Sequence, residues 1–214
     1  MDRRWLLIAP SLVLMLLVVP LWLLWPPPPA APRASLPTLV LLGLGAGALL
    51  LGLGVLLERY VASFRHASRR LEQLVRNLRL DPGAAAGIAL VTGVAEEVFF
   101  RGWLLHVAGL WGQAAVFMLL HPAGRRGWAY TAFTGFAGLV FGMLTLATGS
   151  LVSAIVAHVA VNLHGFVSGA LGARRRTSAR LERRPSPGAG PGADPGGDPS
   201  ADPGGDPGGD PPAA

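Results

Sequence analysis

The chain has 214 residues, of which 51% are hydrophobic and 14% are charged. A soluble domain carries about a quarter charged residues, so this composition argues against one. The formal net charge of +6 comes from arginines that flank long apolar runs, which indicates membrane-flanking charge and not nucleic-acid binding. The absence of cysteine excludes disulfides, thiol catalysis and thiolate metal sites.

Two apolar runs open the chain, at 5–25 and 36–57, and each is long enough to cross a hydrocarbon core of about 30 Å. The first run is followed by four consecutive prolines and lacks a clean small-residue cleavage site. We therefore interpret it as a retained helix and not as a signal peptide. In the second run Gly43 and Gly47 lie four residues apart, which predicts a close-packing helix face.

Segment 58–80 has a different character, because six arginines alternate there with leucines and a valine at helical spacing. This pattern predicts an amphipathic helix at the membrane surface. Asp81 and Pro82 follow it, and Asp81 is placed to cap the next helix.

Four further apolar segments follow, at 84–105, 107–120, 128–147 and 151–171. The whole pattern predicts an all-α fold, namely a polytopic membrane helical bundle of about six transmembrane helices plus the amphipathic surface helix. Residues 1–173 are the predicted membrane-embedded domain. Residues 174–214 are arginine-rich and then rich in Pro, Gly and Asp, which predicts a disordered cytoplasmic tail.

The distribution of arginines gives an independent prediction of topology. With a cytoplasmic N-terminus and six spans, 16 of the 18 basic residues fall on the cytoplasmic side, with Arg33 outside and Arg101 inside a span. This bias predicts an integral membrane protein with both termini in the cytoplasm. It also predicts contact between the arginine-rich segments and anionic lipid headgroups.

Three charged side chains interrupt the apolar segment 84–105, namely Glu96, Glu97 and Arg101. Each charge in lipid costs several kcal/mol, so such a cluster needs a structural or functional reason. Glu97 and Arg101 are four residues apart and can pair on one helix face. Glu96 lies about 100° around the helix and can face a cavity.

Polar side chains on other predicted helices lie at similar depth. His158 and Asn162 are four residues apart and project together, and His121 ends the short segment 107–120. At a rise of about 1.5 Å per residue, these three side chains can meet Glu96 near mid-membrane. Structural alternatives exist for each: an interhelical ion cluster at 96–101, interhelical hydrogen bonds from His158 and Asn162, and a helix-end position for His121.

Three motifs can be read from these residues: Glu-Glu-x-x-x-Arg at 96–101, Phe-x-x-x-His at 117–121 and His-x-x-x-Asn at 158–162. In this order they resemble the motifs of the CPBP intramembrane protease family, which includes CAAX prenyl endopeptidases and bacterial Abi-type proteins. The resemblance covers about 84–165, the motif core. It implies an intramembrane endopeptidase that acts on a membrane-associated protein or peptide.

The resemblance also implies roles for the motif residues. Glu96 would be the general base that activates water, with help from His121. His158 and Asn162 would stabilise the oxyanion, while Glu97 and Arg101 would support the site. No cofactor is obligatory in this scheme. A zinc-dependent version would use Glu96, His121 and His158 as ligands.

Two other functional classes remain as alternatives. A non-enzymatic immunity or scaffold protein could retain the pocket for binding, and a proton-coupled transporter could use buried Glu and His as a relay. Transporters often contain internal repeats, and none is recognisable in this sequence. The arginine-only composition, rich in Ala, Gly and Pro, is typical of a high-GC bacterium. It predicts a bacterial plasma-membrane location. For a bacterial protein the resemblance implies a peptide precursor or the C-terminal sorting tail of a surface protein as substrate.

Overall fold

A computed structural model describes residues 5–28 and 31–182 of the chain, with side chains described at 8–28 and 31–172. The helices within this part are α1 (Trp5–Leu24), α2 (Leu36–Tyr60), α3 (Ala62–Asn77), α4 (Pro82–Phe99), α5 (Leu105–Leu119), α6 (Trp128–Thr148) and α7 (Val152–Glu182). A π-helix, Phe100–Leu104, joins α4 to α5, and a 3₁₀ turn, Arg125–Gly127, precedes α6. The described residues contain no strand, so the prediction of an all-α fold is confirmed.

Four helical runs in the described part of the chain are long and apolar enough to cross a membrane, judged by length and composition. They are Leu36–Tyr60, Pro82–Leu119, Arg125–Thr148 and Val152–Gly172. The shorter apolar stretch Ile8–Leu24 belongs to α1. The fold is that of a helical membrane bundle.

The run Pro82–Leu119 is not straight, because the chain reverses at Gly109. This glycine has φ 70° and ψ 179°, outside the helical region and in a conformation that glycine adopts at little cost. Glu96 and His121 each lie about 20 Å from Gly109 along a helix, yet their side chains approach to 3.5 Å. The two predicted segments 84–105 and 107–120 therefore form a helical hairpin. Its second arm, about 15 Å long, reaches roughly half of the hydrocarbon core.

Close glycine contacts define how the helices pack. A Cβ on Gly43 of α2 would lie 2.6 Å from the Ser153 carbonyl oxygen of α7, and one on Gly47 would lie 3.2 Å from Ala160 Cβ. The predicted close-packing face of the second segment is thereby confirmed. Because both sets of residues increase in the same order, α2 and α7 run parallel.

The second arm of the hairpin packs antiparallel against α6. Gly142 of α6 lies beside Leu110, and Gly138 lies beside Ala114 one turn further along the arm. Helices α4 and α7 are also antiparallel, since Glu97 contacts His158 whereas Thr92, earlier on α4, contacts Asn162, later on α7. These pairings alternate the helix directions as the six predicted segments require.

The two ends of the bundle are built differently. At one end the Arg33 backbone N–H donates to the Thr148 carbonyl at 2.8 Å, beside the left-handed Gly149 (φ 64°) that ends α6. At the other end α3 packs across the bundle. Phe64 places its ring 5.4 Å from the rings of both Tyr130 and Phe133.

The boundaries of the predicted surface helix need correction. Helix α2 continues beyond the predicted end at 57 to Tyr60, Val61 is extended with φ −111° and ψ 106°, and α3 begins at Ala62. The predicted cap is confirmed, because the Ala84 N–H donates to Asp81 Oδ1 at 2.9 Å.

The predicted start of the tail at 174 is also wrong for the backbone, because α7 continues to Glu182. Residues 173–182 are mainly Ala, Arg, Leu and Glu, which favour a helix, and the first proline comes only at 185. The remainder of the predicted tail, 183–214, lies outside the described residues.

The packing of α2 predicts a contrast between two neighbouring glycines. We expect Gly43→Ala to lower stability by about 1–3 kcal/mol, because the new methyl group would overlap Ser153 and Val156 of α7. Gly45→Ala is the matched control, since a Cβ there meets nothing within 4 Å. Thermal unfolding of the two purified variants in the same detergent measures the difference. Equal melting temperatures would contradict this packing.

Candidate active site

A cavity of about 670 Å³ opens between α3, α4, α7 and the segment that follows the hairpin. Its volume is in the range typical of ligand sites. The lining residues are Ala67, Arg70, Leu71, Leu74, Val75, Thr92, Glu96, Leu120, His121, Pro122, Ala123, Gly124, Tyr130, His158, Val161, Asn162, Gly165 and Phe166. Four predicted site residues, Glu96, His121, His158 and Asn162, are all among them.

Glu97 lies behind the cavity wall and binds two other site residues. Its Oε1 accepts a hydrogen bond from Arg101 Nη1 at 2.8 Å and one from His158 Nδ1 at 2.7 Å. The side chains of Glu97 and Arg101 are both fully buried, with 0% exposure. The predicted pair is present, and Glu97 additionally connects α4 to the histidine of α7.

Aromatic rings surround the buried guanidinium group. Arg101 Cζ lies 4.6 Å from the ring centroid of Phe117, 5.1 Å from Phe141 and 5.6 Å from Phe100. A desolvated cation gains from the negative faces of such rings. Phe117 of the second motif therefore supports Arg101 of the first.

The backbone of this region departs from an α-helix where Arg101 lies. The Leu105 N–H bonds to the Phe100 carbonyl, five residues back, as in a π-turn. Insertions of this kind occur frequently at functional sites. The π-turn still allows Arg101 to reach Glu97 one turn earlier.

Hydrogen bonds orient both imidazole rings. His121 Nδ1 lies 2.8 Å from the Phe117 carbonyl, and His158 Nδ1 lies 2.7 Å from the Glu97 carboxylate. Carbonyl and carboxylate oxygens only accept, so each Nδ1 carries its hydrogen. Both Nε2 atoms are thereby turned toward the cavity, as in other histidines that a second group positions.

Glu96 lies between these two Nε2 atoms. Its Oε2 is 3.5 Å from His121 Nε2 and 3.9 Å from His158 Nε2, and its side chain is 14% exposed. Within the described part of the chain this buried oxygen has no hydrogen-bond partner. A buried acceptor without a partner is costly in a purely structural role, so a bound water or substrate is the natural partner for it.

Asn162 reaches the same cavity from α7. Its Nδ2 donates to Thr92 Oγ1 at 3.3 Å, while Thr92 itself donates to the Ile88 carbonyl at 2.9 Å. The Thr92 oxygen must then be the acceptor, which places the Asn162 nitrogen toward it. One N–H of the amide remains for the cavity.

Gln113, Thr92 and Tyr130 also belong to this region and were not predicted from the sequence. Gln113 is fully buried, and its Nε2 donates to the Gly138 carbonyl at 2.9 Å. That carbonyl also accepts from Arg101 Nη2 at 3.2 Å, so Gln113 and Arg101 share one anchor on α6. The available signal was an amide in an apolar segment, on the same helix face as Phe117 and His121.

The same side chains are the candidate ligands for a metal ion. In the part of the chain that the structure describes, no group of three or more His, Asp or Glu side chains is arranged to hold a metal ion. Both Nδ1 atoms of the site are engaged in hydrogen bonds, and a zinc ion would have to be held by Glu96 and the two Nε2 atoms.

Comparison with protein families matches residues 80–164 to the family described as Type II CAAX prenyl endopeptidase Rce1-like. The matched segment includes every residue of the three motifs, and α1, α2 and α3 lie outside it. Comparison with curated proteins and with solved structures gives no match.

The buried pair predicts a specific pattern of stability. We expect Arg101→Met to lower the free energy of unfolding by about 3–5 kcal/mol, because Glu97 would keep its buried charge with less compensation. Adding Glu97→Gln should recover most of this loss, since the amide oxygen can still accept from His158. Unfolding of the single and double variants in detergent measures both changes. A double variant no more stable than Arg101→Met would contradict the pairing.

Proposed function

We propose that the chain is a member of the CPBP family of CAAX-type intramembrane proteases, as the family match over residues 80–164 supports, and that it hydrolyses a peptide bond with Glu96 as the catalytic base. Membership of this family makes it an integral membrane peptide hydrolase with a protein or peptide substrate. One observation carries the assignment of the base: the Glu96 carboxylate, His121, His158 and Asn162 converge from three helical segments on one cavity.

The first step of the proposed reaction is attack by water on the scissile carbonyl. As the water oxygen bonds to the carbonyl carbon, Glu96 Oε2 takes one proton from the water. In a neutral His121 the Nε2 atom is an acceptor, and it faces this carboxylate at 3.5 Å. The proton that Glu96 removes then lies between the Glu96 carboxylate and His121 Nε2. His121 thereby helps to hold this proton.

The second requirement is stabilisation of the oxyanion that forms when the carbonyl double bond opens. The free N–H of Asn162 and an N–H at His158 Nε2 are the donors that we assign to it. The Glu97 carboxylate at His158 Nδ1 fixes the plane of the ring, so that Nε2 faces the cavity.

The reaction ends when the tetrahedral intermediate collapses. The C–N bond breaks, and the proton held by Glu96 and His121 passes to the leaving nitrogen, which departs as an amine. The other product is a carboxylic acid. Glu96 is then ready to accept a proton from the next water.

Helix α3, the arginine-rich helix at one end of the bundle, forms one wall of the cavity. We propose that this end lies on the cytoplasmic side, with both termini in the cytoplasm of a bacterial cell and the arginines near anionic headgroups. The alternating helix directions and the arginine distribution support this orientation. A membrane-associated substrate would then reach the site from the cytoplasmic leaflet.

We expect Glu96→Gln to abolish cleavage while the protein still folds and accumulates, because the amide cannot accept the water proton. The measurement compares membrane proteomes of cells that carry the wild-type chain or Glu96→Gln. Proteins that keep an uncleaved segment only in the variant are the substrates.

Glu72→Gln is the matched control for this substitution. Glu72 pairs with Arg76 on α3, and its side chain is 44% exposed, so the change should leave cleavage intact. His158→Ala should also lose cleavage. Full activity of both Glu96→Gln and His158→Ala would show that the proposed mechanism is wrong.

We further propose that no metal ion is obligatory. Cleavage by the purified protein should then persist at its full rate after treatment with 1,10-phenanthroline or EDTA, because Glu96 and the two histidines suffice to activate water. Loss of activity that added zinc restores would instead assign Glu96, His121 and His158 as zinc ligands.

A further inference from the structure

The cavity carries charge on two opposite walls. Among its described lining residues the only carboxylate is Glu96 and the only arginine is Arg70, which lies on α3. The other lining residues on α3 are apolar: Ala67, Leu71, Leu74 and Val75. A ligand in this cavity therefore meets an apolar wall interrupted by one cation.

Arg70 is not used by the fold. Within the described part of the chain it has no ion pair and no hydrogen bond. Two other arginines on α3 have partners, since Arg65 donates to the Glu58 and Arg59 carbonyls and Arg76 pairs with Glu72. A long cationic side chain beside apolar surface is costly to order unless it gains a partner.

Helix α3 holds Arg70 in a defined place. The Ala67 side chain packs against Gly127, and a Cβ on Gly169 would lie 2.8 Å from Val75 Cγ1, so α3 is seated tightly on both sides of Arg70. A charged group on a rigid helix is a better determinant of specificity than one on a loop.

We propose that Arg70 determines specificity by binding a carboxylate group of the substrate, next to an apolar stretch that lies along Leu71 and Leu74. Guanidinium binds carboxylate through two parallel hydrogen bonds, and an apolar wall strengthens that contact. The carboxylate is an acidic side chain or a chain terminus. As an assignment of substrate chemistry, this inference rests on the proposed function.

An anionic lipid headgroup is the competing ligand. Arg70 also borders an outer groove lined by Ala62, Arg65, His66, Arg69 and Gln73. A headgroup bound there would be shared by Arg69 and Arg70, which are adjacent and both exposed. The substrate is favoured because Arg70, unlike Arg69, also lines the cavity that contains Glu96.

Peptide binding to the full chain carrying Glu96→Gln tests the proposal without cleavage. The probes are fluorescent apolar peptides in which Glu or Gln occupies each position in turn, and the same host peptide with a C-terminal acid or amide. In nanodiscs of neutral phosphatidylcholine we expect some carboxylate peptides to bind about tenfold more tightly than their amide partners. The pair of peptides that shows this difference in affinity identifies the carboxylate as a side chain or as a chain terminus.

Three substitutions assign the preference. Arg70→Gln should remove it and leave the affinity for the amide peptides unchanged, which also shows that the cavity is intact. Arg69→Gln, the matched control, should preserve it. Arg70→Glu should reverse it in favour of peptides with Lys at the same position, a gain that misfolding cannot produce.

Several results would overturn the proposal. One is equal binding of acid and amide peptides, and another is an equal loss in Arg69→Gln and Arg70→Gln. A third is an effect of Arg70→Gln only in nanodiscs with anionic phosphatidylglycerol, which would assign Arg70 to lipid.

The binding assay also separates this proposal from the proposed function. If Arg70-dependent carboxylate binding is found but the wild-type chain cleaves none of the peptides, the protease mechanism fails and the assignment of Arg70 stands. If the wild-type chain cleaves acid and amide peptides equally well, the protease mechanism stands and Arg70 has no such role.

Discussion

The buried carboxylate of Glu97 is the interaction on which the rest of the structure depends. An ionised carboxylate with no exposure is tolerated only when its charge is compensated nearby, and here Arg101 and His158 both donate to Oε1. One partner lies on the π-turn after α4 and the other on α7. The same atom therefore compensates the charge, fixes the register of α4 against α7 and orients the imidazole that faces the cavity.

Arg101, which compensates the charge of Glu97, is itself held by a second set of contacts. Arg101 lies among three aromatic rings and is anchored to the Gly138 carbonyl, which Gln113 also binds. This second set of contacts ties α4 to α5 and α6. The close approach of α5 and α6 needs small residues, and Gly138 and Gly142 provide the space. The hydrogen bonds of the buried polar groups and the close packing at the glycines are therefore both needed for these helices to assemble.

The cavity side of the site is organised differently from the buried side. Glu96 shares its helix with Glu97 but points into the cavity, where its Oε2 has no hydrogen-bond partner in the described part of the chain. The contrast follows from helix geometry, because adjacent residues differ by about 100° in direction. One carboxylate is held by the protein, and its neighbour is left for water. Helix α3 forms another wall of the cavity, an apolar surface interrupted by Arg70.

The sequence by itself determined the all-α class, the apolar segments, the cap at Asp81 and the pairing of Glu97 with Arg101, because these depend on composition and on helical spacing within one segment. The resemblance in three motifs also identified the residues that converge on the cavity. Only the tertiary structure decided that the chain reverses at Gly109, that Glu97 holds His158, that Gln113 supports Arg101 and that Arg70 lines the cavity. Those features join residues on different helices, and no spacing within a helix records how two helices are placed against each other. The extension of α7 to Glu182 was missed for a different reason, since composition indicated a tail where local helix propensity prevailed.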